Sequence, residues 1–255
     1  MNDNQEKIEK LYCLAQDRFH ENDLPEAIVS LKALLALNFQ HLDAHFLLAL
    51  IYQKDQAFEL SNQHFRTCID ANYKIQEIYK LIAFNSKQLA LYTNALHELQ
   101  KHLHFNPEDD DAYALLGDVY MLKELYHYAK KVYLEAIKMD AKKPLYYVKL
   151  AHVYQAQKDV HQAILETQKA LLLDNDNHQT NFFLATLYAS TQEYEKALNF
   201  YEKAISLNDS IALYHHNMAI TLSQLKRKEE ALEAQNYAIN LEPQNSHFQK
   251  ALSGL

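Results

Sequence analysis

Seven times, at a constant interval of 34 residues, a large aliphatic residue is followed at once by a small one: Leu14-Ala15, Leu48-Ala49, Ile82-Ala83, Leu116-Gly117, Leu150-Ala151, Leu184-Ala185 and Met218-Ala219. A second small-residue column keeps the same period 12 residues further on, at Ala27, Ser61, Ala95, Ala129, Ala163, Ala197 and Ala231. Helices whose axes approach to about 8–10 Å have room only for small side chains where they cross. The two columns therefore predict two closely packed helices in every 34-residue unit, repeated along the chain.

Residues 110–143 show how one unit is written. Tyr113, Leu116, Gly117 and Tyr120 recur at three and four residues, the stripe of a helix with one buried face. Lys123 and Glu124 interrupt it, and Tyr126, Ala129, Tyr133, Ala136, Ile137 and Met139 draw a second stripe. Each unit reads as a hairpin of two helices of about 13 or 14 residues. Asn38, Asn72, Asn106, Asp140, Asp174 and Asn208 fall in the column that ends the second helix, where a short polar side chain can bind loose backbone groups or accept a left-handed conformation; Glu242 is the exception. Pro107 and Pro243 follow one residue later, and Pro25 sits in the first turn of a second helix, where its missing N–H costs nothing.

With two glycines in 255 residues, the chain has almost nothing from which to build tight strand turns, so its class is all-α. A net charge of -8, spread without a basic patch, argues against phosphate backbones and anionic lipid as partners. No stretch of about 18 apolar residues occurs, and residues 1–12 lack the apolar run of a secretory signal. The expectation is a cytoplasmic chain with no membrane insertion and no nucleic acid. Cys13 and Cys68 are too few for a disulfide framework or a metal knuckle.

The pattern resembles the tetratricopeptide repeat, a 34-residue helix-turn-helix unit. Tyr113, Leu116, Gly117, Tyr120, Ala129, Tyr133 and Ala136 meet its consensus of large, Leu, small, Tyr, Ala, aromatic and Ala. Tyr147, Leu150, Ala151, Tyr154, Ala163 and Ala170 meet it with Thr167 in place of the aromatic. Leu184, Ala185, Tyr188, Ala197, Tyr201 and Ala204 meet it with Asn181 at the usual large position. The resemblance frames one array over 8–245, with repeats 8–41, 42–75, 76–109, 110–143, 144–177, 178–211 and 212–245. Residues 1–7 are a lead-in, and 246–255 a short C-terminal capping segment. The implied fold is an α-α superhelix of seven hairpins plus that cap.

The resemblance also implies a concave groove lined by first helices. Its groove columns correspond to Tyr12, Gln16 and Phe19; Phe46, Leu50 and Gln53; Lys80, Phe84 and Lys87; Ala114, Asp118 and Met121; Val148, His152 and Gln155; Phe182 and Thr186; and His216, Asn217 and Ile220. This lining has apolar anchors with polar groups between, which suits an apolar helix or extended peptide better than a highly charged tail. The Lys and Asn pairs with which some members clamp chaperone carboxylates are incomplete here, and the Asn ladder of the arrays on sugar transferases is reduced to Asn217.

Catalytic and metal signatures are weak. His41 and His45 flank Asp43 with a spacing that can bind a divalent metal, but His41 lies at a repeat junction and His45 in the large buried column, so His45 reads as a packed histidine. Asp109, Asp110 and Asp111 lie where negative charge favours a helix start. The sequence thus points to a non-enzymatic scaffold or adaptor without catalytic residues, metal or cofactor, gripping a peptide or helix of a partner protein. An alternative is a targeting or regulatory subunit of an enzyme complex, a glycosyltransferase or secretion and pilus machinery, docking by its convex face or a terminal repeat. A monomer is expected, with end-to-end self-association as a further option.

Overall fold

The computed structural model describes residues 3–252, and every regular element among them is a helix. Backbone contacts divide the chain into two compact bodies, Met1–Lys123 and Glu124–Leu255. The first contains α1 (Asp3–His20), α2 (Leu24–Leu37), α3 (Leu42–Lys54), α4 (Phe58–Asp70), α5 (Ile75–Gln88), α6 (Tyr92–Phe105) and α7 (Asp110–Leu122). The second contains α8 (Tyr126–Met139), α9 (Pro144–Ala156), α10 (Val160–Leu173), α11 (His178–Ser190), α12 (Tyr194–Leu207), α13 (Ala212–Gln224), α14 (Lys228–Leu241) and α15 (Ser246–Leu252). Within each body, consecutive helices form hairpins, and each hairpin packs on the next. α1 starts earlier than the sequence frames imply, because the Asn4–Lys7 stretch is rich in helix formers and a Lys10–Glu6 pair at 2.7 Å adds one-turn support.

The two small columns lie at the helix crossings. Ala15, Ala49, Ala83, Ala151, Ala185 and Ala219 have no exposed surface, nor have Ala27, Ser61, Ala95, Ala129, Ala163, Ala197 and Ala231. Phe65, Tyr133, Tyr146 and Tyr201 fill the space beside them and are at most 2% exposed. Leu14 departs from its column: it is 42% exposed.

The turns separate the two roles open to the Asn/Asp column. Left-handed residues fall chiefly between the two helices of a hairpin, at Asn22, Gln56, Ala90, Glu124, Lys158, Gln192 and Lys226, all with φ between 57° and 64°. Six of the first helices, α1, α3, α5, α9, α11 and α13, end in a Schellman motif: in the second repeat, Gln56 N–H donates to Gln53 C=O at 3.1 Å and Ala57 N–H to Tyr52 C=O at 2.8 Å. The Asn/Asp column instead takes extended backbone at Asn38, Asn106, Asp140, Asp174 and Asn208. Four of these five accept a backbone N–H two residues on, as when Lys142 donates to Asp140 Oδ1 at 2.9 Å. Asn72 is left-handed as the sequence allows, because α4 stops one residue early and closes with its own Schellman bond from Tyr73 to Cys68.

A further periodic device holds the junctions between hairpins. Side chains in one column reach back six residues to a turn carbonyl. His45 Nε2 contacts Phe39 O at 2.8 Å, Tyr147 OH donates to Ala141 O at 3.2 Å, and Asn181 Nδ2 to Asn175 O at 3.0 Å. His215 Nε2 contacts Asp209 O at 2.9 Å, and Gln249 Nε2 donates to Pro243 O at 2.7 Å. Aromatic, imidazole and amide groups share this column because each can bring a donor to the same carbonyl.

α15 forms the expected cap. Phe248 is 4% exposed and packs with Ala212, Ala238 and Ile239, while its carbonyl accepts Gln235 Nε2 at 2.6 Å. Residues 253–255 of the expected capping segment lie outside the described residues.

Candidate first-helix binding face

In the N-terminal body, the sequence-derived groove columns come together on α1, α3, α5 and α7, but most of their side chains are engaged by their own neighbours. Tyr12 on α1 lies 5.3 Å from the His41 ring, Gln16 is half-buried, and Phe19 carries Lys54 Nζ at 5.3 Å. On α3, Phe46 packs against Phe65 and Tyr73 beneath Lys74 Nζ, and Leu50 joins the same apolar cluster. Gln53 donates to Leu81 O at 3.3 Å and to Asn85 Oδ1 at 2.5 Å, and Asn85 passes the chain on to Ser61 and Asn62. Gln53 is thus a link between α3 and α5 rather than a free polar contact, and only two bonded amides explain its position.

The lysines of α5 are likewise taken. Lys80 pairs with Asp109 at 2.7 Å and Lys87 with Asp118 at 3.3 Å, both on or beside α7. Asp109 also caps α7 by accepting Ala112 N–H at 2.9 Å and receives His102 Nε2 at 2.8 Å. Burial alone would raise its proton affinity, but the bonds from Lys80, His102 and Ala112 outweigh that and hold it below the usual carboxylate range. His102 is buried with Nδ1 against Gln76 O at 2.7 Å, so both of its ring nitrogens face acceptors. These groups wall a cleft of about 580 Å³ between α5, α6 and the start of α7. Asp109, Asp110 and Asp111 bring carboxylate oxygens within 4.8 Å of one another, yet both Asp109 oxygens already accept bonds, which fits helix capping rather than cation capture. Phe84 is 36% exposed beside Phe58 and Lys87, and Met121 is half-buried. Ala114 is buried.

In the C-terminal body, the same columns on α9 and α11 line an open cleft of about 510 Å³. Val148 and His152 form one wall and Phe182 and Phe183 the other, with Pro144 and Leu145 at one end and Asp174, Asn177, Gln179 and Thr180 along the α10–α11 turn. The rings are fixed from behind: His152 lies 4.1 Å from Phe183, and Phe182 stacks at 4.3 Å on Tyr214, whose hydroxyl meets His178 Nδ1 at 2.8 Å. Burial, helped by Lys149, lowers the proton affinity of His152 against an opposing hydrogen bond from Gln155, which favours the neutral ring. Asp174 is the one acidic side chain of this lining. Thr186 spends its hydroxyl on Phe183 O at 2.7 Å.

One reading from sequence changes, and the reading of the His41 and His45 pair stands. His216 does not line a groove: it is 3% exposed, held by Gln235 at 2.9 Å and by the Phe248 ring at 4.7 Å, because α15 covers it. Asn217 is half-buried and bonds to Tyr201, while Ile220 is 43% exposed. His41 Nδ1 caps α3 by accepting Ala44 N–H at 3.1 Å, and His45 is buried in its column, so these two histidines are structural.

The sequence columns missed Leu145, which is 55% exposed at the cleft mouth. A signal was present: Leu145 stands where the three preceding repeats carry Asp43, Glu77 and Asp111. Phe183 was passed over as a contact although it shares its column with Asn217, because that column was read only for an Asn ladder.

A family model of the tetratricopeptide repeat matches residues 110–143, 145–177, 178–210 and 212–245. Among solved structures, a tetratricopeptide repeat protein from Parabacteroides merdae ATCC 43184 aligns with a TM-score of 0.74 at 17% identity, covering 97% of this chain and 98% of its own. The C-terminal part of a TPR repeat-containing protein from Cytophaga hutchinsonii aligns with a TM-score of 0.72 at 18% identity, over 94% and 99% of the two chains. YrrB, described as a TPR protein with an unusual peptide-binding site, aligns with a TM-score of 0.59 at 22% identity, over 73% and 96%. At these identities the likeness is one of fold. No curated protein matches the sequence.

Proposed function

Because the chain belongs to the tetratricopeptide repeat family, we propose that it is a non-enzymatic interaction scaffold which grips an apolar helix or extended segment of a partner protein on the first-helix face of its C-terminal body. The observation that carries this reading is the cleft between α9 and α11: apolar walls, a rigid aromatic backing and one acidic rim group, with Leu145 standing exposed at the entrance. Such a cleft gains by covering Leu145, Val148 and Phe182, and its fixed rings lose little freedom on binding. The peptide-binding description of YrrB, a protein of similar fold, supports the class of partner. Among the described residues no helix is long and apolar enough to cross a membrane.

The test begins with partners captured on the immobilised full chain and identified by mass spectrometry, followed by titration of the purified partner. Leu145→Asp installs the residue type its column carries elsewhere and is expected to weaken binding without altering the fold. A partner that binds Leu145→Asp and Val148→Glu as tightly as the parent removes this face from the mechanism.

One observation favours the second reading, a targeting or regulatory subunit docking by its second helices. Leu172 is 87% exposed and Leu165, two turns earlier on α10, is 48% exposed. Their columns carry Lys138, Ser206 and Asn240, and Lys131, Asn199 and Glu233, in neighbouring repeats. Loss of the partner with Leu172→Glu, and not with Leu145→Asp, selects that reading.

A further inference from the structure

The second repeat holds a histidine pair that the binding face does not use. His45 on α3 and His64 on α4 bring their Nδ1 atoms to 2.8 Å, and His45 Nε2 lies 2.8 Å from Phe39 O. A carbonyl can only accept, so the His45 proton sits on Nε2 and is donated there. Nδ1 of the neutral His45 ring is then bare, and the bond between the rings requires His64 to donate from Nδ1–H. Two neutral rings in complementary tautomers satisfy this geometry.

A proton added to His45 sets two N–H groups against each other at 2.8 Å and destroys the bond. A proton added to His64 creates a cation that is half-buried, with Tyr52 of α3 stacked on its ring at 5.7 Å. The charged group that bears on it from α2 is Lys32, of like sign, and Phe39 closes edge-on over His45 at 5.3 Å. The arrangement therefore offers an added proton no acidic partner. The pair also occurs in one repeat only: the His64 column reads Ser30, Glu98, Val132, Glu166, Phe200 and Ala234 elsewhere.

We propose that His45 and His64 form an acid-sensitive latch: a proton on His45 breaks the bond between the rings, and a proton on His64, which enters at Nε2 and leaves that bond in place, sets an uncompensated cation between α3 and α4. Either parts α4 from α3, loosens the α2–α3 turn anchored at Phe39, and disturbs the α3 side chains Phe46, Leu50 and Gln53 on the first-helix face. Burial, followed by His45 and Lys32, lowers the His64 pKa to about 4. Its folded value lies below the ordinary one, so the unfolded chain takes up the proton first as pH falls. Stability is fully present above the ordinary histidine range, near 6.5, and is lost progressively between about 6.5 and 4.

His64→Asn supplies the test, because the Asn amide can donate to His45 in place of Nδ1–H and does not titrate. Thermal melts of the full chain are compared at pH 7.5 and 5.0. The parent midpoint is expected to fall by about 6 °C more than that of the variant. Equal falls overturn the latch. Should the variant be too unstable to melt cleanly, nitrogen-15 NMR of the parent imidazoles decides: neutral His64 protonated on Nδ1 at pH 6 supports the proposal, and an imidazolium there refutes it.

Discussion

On α5 and α7 of the N-terminal body, Lys80 meets Asp109 and Lys87 meets Asp118; on α9 and α11 of the C-terminal body, the columns of Lys80 and Asp118 hold Val148 and Phe182, and His152 and Thr186, around an open cleft. The backbone is the same helical hairpin in both places. What differs is whether each first helix carries the complement of its neighbour's charge. The ion pairs are partly exposed and worth little to stability, on the order of 1 kcal/mol or less each. Their larger consequence is that charges facing outward in sequence are neutralised by the next hairpin. The apolar columns have no such internal partner, and their unmet surface is what a ligand can cover.

The N-cap column of the first helices offers the sharpest way to break that contrast. Asp109 caps α7 and also holds Lys80 and buried His102, whereas Asn177, in the same column, caps α11 through bonds to the Thr180 amide and hydroxyl. Asp109→Ala removes the cap and strands His102, so a cost of about 3 kcal/mol is expected, against about 1 kcal/mol for Asn177→Ala. Urea denaturation of both variants measures the difference. Equal costs would mean that the Lys80–Asp109–His102 cluster holds nothing beyond a helix end, and that the two faces differ less than their side chains imply.

Binding should divide the two faces next. Leu145→Asp is expected to weaken a groove-bound partner by about tenfold, roughly 1.4 kcal/mol, because it places a charge at the apolar entrance. Lys87→Met removes the Lys87–Asp118 pair and is expected to change the same affinity less than about twofold, a few tenths of a kcal/mol. Calorimetric titration of the purified partner reads both. A large effect at Lys87 and none at Leu145 would move the contact to the N-terminal body.

How much of this was legible depends on whether a residue acts alone in its column or through a neighbour 30 residues away. The small columns were readable because a helix crossing excludes bulk whatever surrounds it, and Ala49, Ala83 and Ala163 are fully buried as their spacing requires. The closing helix was readable from Phe248 and the polar residues around it. Engagement of the groove residues was not, since Lys87 is free or paired according to what α7 presents, and Gln53 according to Asn85. His216 fell in a groove column by period, yet the last hairpin has α15 beside it and substitutes Gln235 where earlier repeats carry Tyr201, Thr167 and Tyr133. The six-residue reach of His45, Tyr147, Asn181, His215 and Gln249 stayed hidden because a consensus sorts side chains by size, while this column is set by a shared donor.

The smallest expected effect tests whether backbone geometry is indeed common to the two bodies. Ala90 lies at φ 57° and Lys158 at φ 64°, each the left-handed residue of its hairpin turn. A residue with a Cβ pays about 1–2 kcal/mol there that glycine avoids. Glycine in turn gives the unfolded chain more freedom, by about 0.5–1 kcal/mol relative to alanine. Ala90→Gly should therefore stabilise by a net amount of about 0.5 kcal/mol, and Lys158→Gly by a similar amount if its long side chain does nothing else. Asn22→Gly should gain less, because asparagine tolerates this conformation. Chemical denaturation resolves such differences when the variants are measured side by side. Matching gains at Ala90 and Lys158 would assign the contrast between the two faces to their side chains, and a gain at one alone would place part of it in the turns themselves.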